Sequence, residues 1–153
     1  KSQKGVTGKM DIETLKDSLK SHEGMRNQVY KDHLGNRTIG YGHLCLDHEK
    51  WVDGKIYPTK VINKTFEYDF NIALNDAKKL IEQESIHPDA FGVLINMCFN
   101  MGSPRVSRFH KMLSALEVKD YQNAAKEMLD SKWAGQVPNR ARELSEVMKK
   151  CSS

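Results

Sequence analysis

The sequence predicts an α+β fold: a small β-sheet lobe beside a larger all-helical lobe, joined by a long helix. Three observations carry that expectation. Short strand-like runs punctuated by turn residues are confined to about residues 24–60. From Pro58-Thr59 onward, apolar residues recur at spacings of three and four, as on one face of a helix. The segment Phe91–Phe99 is apolar on nearly every side, which suits a helix in the middle of a core.

Composition agrees and removes other classes. With 153 residues, 39% hydrophobic and 29% charged, and only four prolines, the chain suits one domain or two lobes sharing a core, not general disorder. Phe91–Phe99 is broken by Asn96 and too short to cross a bilayer, and no secretory signal opens the chain. The net charge of +4 comes from scattered residues. It fits an acidic polymer as partner, nucleic acid or an anionic cell envelope, and equally plain solubility. Cys45, Cys98 and Cys151 are odd in number and widely spaced, so they read as free thiols of a reducing compartment.

Along the chain, residues 1–10 read as a flexible leader with Met10 as a natural start. A helix begins at Asp11, with Ile12, Leu15 and Leu19 on one face and Gly24 as its stop. Strands are expected at Val29–Asp32 and Thr38–His43 around the turn residues Gly35-Asn36. A third passes through Trp51-Val52 and turns at Asp53-Gly54 into Ile56-Tyr57. Ile62, Phe66, Phe70, Ala73, Leu74, Ala77 and Leu80 mark the long helix, and Pro88 opens the apolar helix that Gly102 closes. Shorter helices follow near 105–116, 120–132 and 138–149, with Asp120 as an N-cap and Pro138 in a first turn. The β-rich lobe thus spans about 24–60, and the helical lobe takes 11–23 plus about 70–150.

Chemistry concentrates between the first helix and the hairpin. Glu23 ends a helix, where the partial negative charge of the helix terminus favours a protonated carboxyl, the property of a general acid. Asp32 stands by a turn in a wetter setting that keeps it ionised, and Thr38 across the hairpin can hold a water against it. Each residue alone is ordinary: a surface Glu, a turn Asp, a strand Thr. Together they form two carboxylates in contrasting environments, the usual apparatus for cleaving a glycosidic bond. Gly40 and Gly42 leave backbone open to a close approach by substrate and form no nucleotide-binding signature.

Glu23-Gly24, Tyr30-Lys31-Asp32, Gly35 and Thr38-Ile39-Gly40-Tyr41-Gly42-His43-Leu44 resemble the catalytic stretch of the phage-type lysozymes, glycoside hydrolase family 24. The resemblance resumes at Ile95-Asn96-Met97, Phe99 and Met101-Gly102, and again at Ser131-Lys132-Trp133 and Pro138-Asn139-Arg140-Ala141. It covers about residues 12–142 and leaves 45–58 and the last ten residues unanchored. It implies a lysozyme-like catalytic domain over 11–150 and a muramidase that cuts the β-1,4 bond between N-acetylmuramic acid and N-acetylglucosamine with inversion. In that scheme Glu23 is the general acid, Asp32 the general base and Thr38 the water-positioning residue, the carboxylates about 6.5–9.5 Å apart. Leu44, Gly42 and Phe99 are then implied in substrate binding, and Arg140 lies near the catalytic Glu, where a cation opposes the helix-end effect. Met112 and Glu127 stand where T-even phage members carry Ser and Asn, Lys132 where they carry Arg, and Asn100 where they carry Gln. Glu127 therefore puts the preferred peptidoglycan in question.

His43 and Asp69 are candidates for an ion pair between sheet and long helix, against a merely solvated His. His43, Asp47 and His48 lack a fourth partner for a metal site, and the reading requires no metal or cofactor. Met97, Met101 and Met112 read as core or cleft wall, and Trp133 as a packing anchor with sugar contact as the alternative. The partner is the peptidoglycan glycan strand, with no nucleic acid and no stable membrane insertion, acting as a monomer unless part of a virion assembly. Such an enzyme is made in a bacterial cytoplasm and acts on the cell wall, free or virion-associated. Rival readings are a lytic transglycosylase giving anhydro products, a non-catalytic wall-binding or tail module, and a basic nucleic-acid-binding domain.

Overall fold

The computed structural model describes residues 11–152, so the leader expected over 1–10 lies outside the described residues. Among these, eight α-helices accompany one three-stranded antiparallel sheet, so the chain is α+β as predicted. It divides into two compact units, Glu13–Ile72 and the part from Ala73 onward.

The first unit holds α1 (Ile12–Glu23), β1 (Arg26–Lys31), β2 (Arg37–Gly40), β3 (His43–Leu44) and most of α2 (Thr59–Leu80). Gly24 ends α1: at φ +71° its N–H turns back to the Lys20 carbonyl at 2.9 Å. The expected lobe boundary placed α1 with the helices, but its inner face meets the start of α2. Lys16 pairs with Glu67 at 2.7 Å, and the Lys20 ammonium lies 4.9 Å from the Phe66 ring centre. Two cations lying on aromatic faces add to burial of Leu19 in holding this helix to the sheet-bearing unit.

The hairpin register sets which side chains share a face. Tyr30 stands opposite Thr38 and Lys31 opposite Arg37, with an irregularity between Arg26 and Tyr30. The run Thr38–His43, expected as one strand, is two. Gly40 and Gly42 take φ of +67° and +79° and turn the chain back on itself, so β3 pairs with β2, Thr38 opposite Leu44. The third expected strand is absent among the described residues, although the Asp53-Gly54 turn forms, Lys55 N–H reaching the Val52 carbonyl at 3.3 Å. Side chains take the backbone groups a ladder needs: Val52 N–H donates to the Tyr57 hydroxyl (3.0 Å), and Arg37 donates to the Trp51 carbonyl (2.9 Å) and to Asp53 (2.6 Å).

The second unit is built on α3 (Pro88–Met101), buried without a break from Ala90 to Cys98, as the all-round apolar pattern requires. Around it stand α4 (Ser103–Val106), α5 (His110–Glu117), α6 (Tyr121–Leu129), α7 (Lys132–Gln136) and α8 (Pro138–Lys150). The helix expected over 105–116 is thus interrupted at 107–109, and 132–136 is a separate turn of helix. Asp120 caps α6 by accepting from Asn123 N–H at 3.1 Å, and Pro138 sits in the first turn of α8. The thiols of Cys45, Cys98 and Cys151 are free, and burial pushes Cys98 and Cys151 up to about 12. No described helix is long and apolar enough to cross a membrane.

Because Leu94 is 0% exposed in the middle of this core, Leu94→Ala removes both its transfer energy and its packing. The expected loss is about 2–5 kcal/mol of unfolding free energy, measured by urea titration.

Candidate active site

Glu23, half-buried, is the last residue of α1, and the next two elements fold its carboxylate against Gly42. A methyl group built at Gly42 would lie 2.6 Å from Glu23 Oε1, so only a hydrogen leaves that oxygen its place. Asp32 follows β1 and closes the hairpin with its own side chain. Its Oδ1 accepts from the backbone N–H groups of Asn36 (2.8 Å) and Leu34 (2.9 Å). The Asn36 backbone N–H above all, opposed next by desolvation and aided by Leu34 and the Asn36 side chain, holds this carboxyl below the usual carboxylate range. Asp32 is therefore an anion at neutral pH, as the sequence suggested.

Thr38 is buried on β2, and its hydroxyl donates to the Asn36 carbonyl at 2.9 Å. It faces Tyr30 directly and Asp32 diagonally on one side of the hairpin, since side chains two apart share a face. With its hydrogen given to Asn36, the Thr38 oxygen offers only lone pairs to anything else. Glu23, Asp32, Thr38 and Gly42 thus all belong to the first unit, as does Leu44, half-exposed on β3.

His43 and Asp69 pair as expected, Nδ1 to Oδ2 at 2.7 Å, and His43 is buried rather than solvated. A partner the sequence did not suggest takes the other nitrogen: Glu49 Oε1 lies 2.9 Å from Nε2 and also accepts from Leu46 N–H and the Trp51 indole, each at 2.9 Å. Glu49 reaches His43 through a short 3-10 turn at Asp47–Glu49, a loop geometry with no periodic signal to announce it. Among the described residues no cluster of three ligand-type side chains is arranged for a metal, and Asp47 and His48 do not join His43.

The remaining candidates lie in the second unit. Met112 is not open to substrate: it is 0% exposed and forms buried wall of a cavity of about 550 Å³ that half-buried Glu127 and exposed Lys132 also line. Its unbranched apolar chain fills space between α5 and its neighbours, as the core reading of this methionine expects, and leaves no surface for a substrate contact. Trp133 also lines that cavity but is buried as a packing anchor. Its indole donates to Asn100 Oδ1 at 2.7 Å, and its ring meets Phe109 edge-on. Phe99 is half-buried near the end of α3. Arg140 is buried, with Nε donating to Asn96 Oδ1 at 2.9 Å, two residues that the apolar helix pattern alone did not connect.

Two outcomes follow from this geometry. Burial opposes charge on His43, but the hydrogen bonds and negative charges of Asp69 and Glu49 outweigh it and raise its pKa from 6.5 to about 8. The folded unit thus holds a proton that the unfolded chain releases. The gain is complete below about pH 6.5 and is lost as pH rises through about 8. It amounts to about 2 kcal/mol at most, and about 1 kcal/mol after solvent screening. Asp69→Asn is expected to cost about that much in urea melts at pH 6 and distinctly less at pH 9. Gly42→Ala is expected to leave the fold standing, at a cost of about 1–2 kcal/mol for the positive φ. It displaces the Glu23 carboxylate from its place against the backbone, while the urea midpoint reports the cost in stability.

The sequence over residues 20–145 matches the family model described as phage lysozyme. Among similar proteins, "Probable T4-type lysozyme 2" of Dictyostelium discoideum is 32% identical over 89% of this chain and 94% of its own length. The endolysin of Salmonella phage P22 is 28% identical over 79% of this chain and 82% of its own length. The pre-baseplate central spike protein Gp5 of Enterobacteria phage T4 is 26% identical over 88% of this chain, matched by 27% of Gp5. A family match over most of the chain, on the α+β fold just described, settles the class of activity. The chain belongs to the phage lysozyme family and is a peptidoglycan-cleaving glycoside hydrolase.

Proposed function

We propose that the chain is a muramidase that hydrolyses the β-1,4 bond between N-acetylmuramic acid and N-acetylglucosamine with inversion at the anomeric carbon. The observation that carries this reading is the contrast between its two carboxylates. Asp32 is held ionised by its own turn, and Glu23 stands at a helix end against the bare backbone of Gly42. Glu23 donates its proton to the leaving oxygen as the glycosidic bond breaks. Asp32 takes a proton from the attacking water, whose oxygen bonds to the anomeric carbon on the opposite face. Because Thr38 has given its own hydrogen to the Asn36 carbonyl, it accepts the other hydrogen of that water. Both hydrogens are then held and a lone pair is free to attack.

In the first unit Leu44 and Gly42 are the candidates for saccharide contacts, and His43 and Asp69 support the site without touching substrate. In the second unit Phe99 and Glu127 are the candidates for saccharide and peptide contacts, with Met112 as packing beside Glu127 and Arg140 as a supporting residue. The enzyme works on the cell wall as a monomer. The likeness to a segment of a phage spike protein favours, as a second setting, attachment to a virion.

Mass spectrometry of purified peptidoglycan digested by the wild-type chain tests the reading. Hydrated disaccharide-peptides with a free reducing muramic acid are expected. Glu23→Gln is expected to lose about 10²–10⁴-fold in rate with an unchanged thermal midpoint. Anhydro products would remove the water step from Asp32 and Thr38, and a fully active Glu23→Gln would overturn the acid assignment.

A further inference from the structure

Tyr30 is the polar residue at this site that the scheme above leaves without a task. The hairpin register puts it directly opposite Thr38, and Asp32, two residues on, lies on the same face of the sheet. The Arg26 guanidinium lies over its ring, 4.5 Å from the ring centre, across the irregularity in β1. The ring is therefore held from one side while its hydroxyl makes no hydrogen bond among the described residues. Tyr30 is only half-buried, so that hydroxyl remains within reach of a ligand.

Its surroundings also select the form in which it acts. Burial raises the phenol's pKa, the Arg26 charge opposes this, and the negative charges of Glu23 and Asp32 raise it further. The hydroxyl thus lies within electrostatic reach of both carboxylates and stays a neutral donor. An anionic ligand group beside it is repelled by the ionised Asp32, whereas an uncharged oxygen is not.

We propose that Tyr30 is a further substrate-binding residue, donating its phenolic hydrogen to a neutral oxygen of the glycan, a hydroxyl or an acetamido carbonyl, next to the bond being cut. This rests on the muramidase reading and extends it: the glycan is gripped on the same sheet face that carries the water site. An aromatic ring pinned by a guanidinium loses little freedom when it makes that bond, so its hydroxyl positions the sugar at low entropic cost.

The test is steady-state kinetics of Tyr30→Phe on soluble peptidoglycan fragments, with Tyr68→Phe, an exposed tyrosine on α2, as the control. Tyr30→Phe keeps the ring under Arg26 and removes only the hydroxyl. The expected result is about a tenfold fall in kcat/KM, with the thermal midpoint and both limbs of the pH profile unchanged and Tyr68→Phe at the wild-type rate. A kcat/KM within twofold of wild type overturns the proposal. So does a loss accompanied by a shifted pH limb, because Tyr30 would then act through Glu23 or Asp32 rather than on the sugar. Should the wild-type chain not hydrolyse the fragments, the muramidase reading falls by itself. The proposal is then decided by affinity for the same fragments: weaker binding by Glu23→Gln/Tyr30→Phe than by Glu23→Gln supports the contact, and equal binding overturns it.

Discussion

The Asp32 carboxylate closes its own hairpin, and the rest of the site follows from that closure. By accepting two backbone N–H groups across the turn it sets where β2 begins, and hence the pairing of Tyr30 with Thr38. A slip of one residue would carry Thr38 to the other face of the sheet and strand its hydroxyl among core side chains. The same hydrogen bonds keep the carboxylate ionised, so one interaction sets both the geometry and the charge of the proposed base. As the proposed base, a carboxylate that doubles as a turn cap commits one oxygen to two backbone N–H groups. Its second oxygen takes only a long hydrogen bond from Asn36 Nδ2, at 3.5 Å.

A second constraint comes from His43. Its ring has a carboxylate at each nitrogen, so only the doubly protonated form satisfies both. Asp69 ties it to α2 and Glu49 ties it to the loop after β3, where Trp51 and Tyr57 meet edge-on. This cluster gives the segment 45–58, which has no regular strands, a fixed course, because side chains absorb the hydrogen bonds that a ladder would have made. The backbone of that segment leads out of β3, next to Gly42 and Leu44, so its order bears on the proposed site.

The second unit contributes differently. The apolar helix α3 excludes water, and two polar pairs are made within its shell: Arg140 Nε with Asn96, and the Trp133 indole with Asn100. Met112 and Trp133 are consequently walls rather than open contacts. Changes at these positions act on shape, while Glu127, on the same cavity and only half-buried, presents charge.

Much of this architecture was legible in the sequence, for local reasons. The 3.6-residue period specifies α2 and α3, glycine specifies where α1 and α3 stop, and Asp120 and Pro138 mark helix starts through backbone rules that operate within a few residues. Glu23, Asp32 and Thr38 were legible as a set because their residue types and spacing carry a resemblance, though none stands out alone. Other features depended on contacts distant in sequence or on loop geometry without a period. These include α1 grouping with the sheet, the division of Thr38–His43 at two positive-φ glycines, the missing third strand and the Glu49 partner of His43. Local sequence determined which residues form helices, where those helices end, and which acids stand beside a turn. Tertiary structure alone decided which face each side chain shares and which atoms remain open to substrate, since both depend on what the folded chain places opposite them.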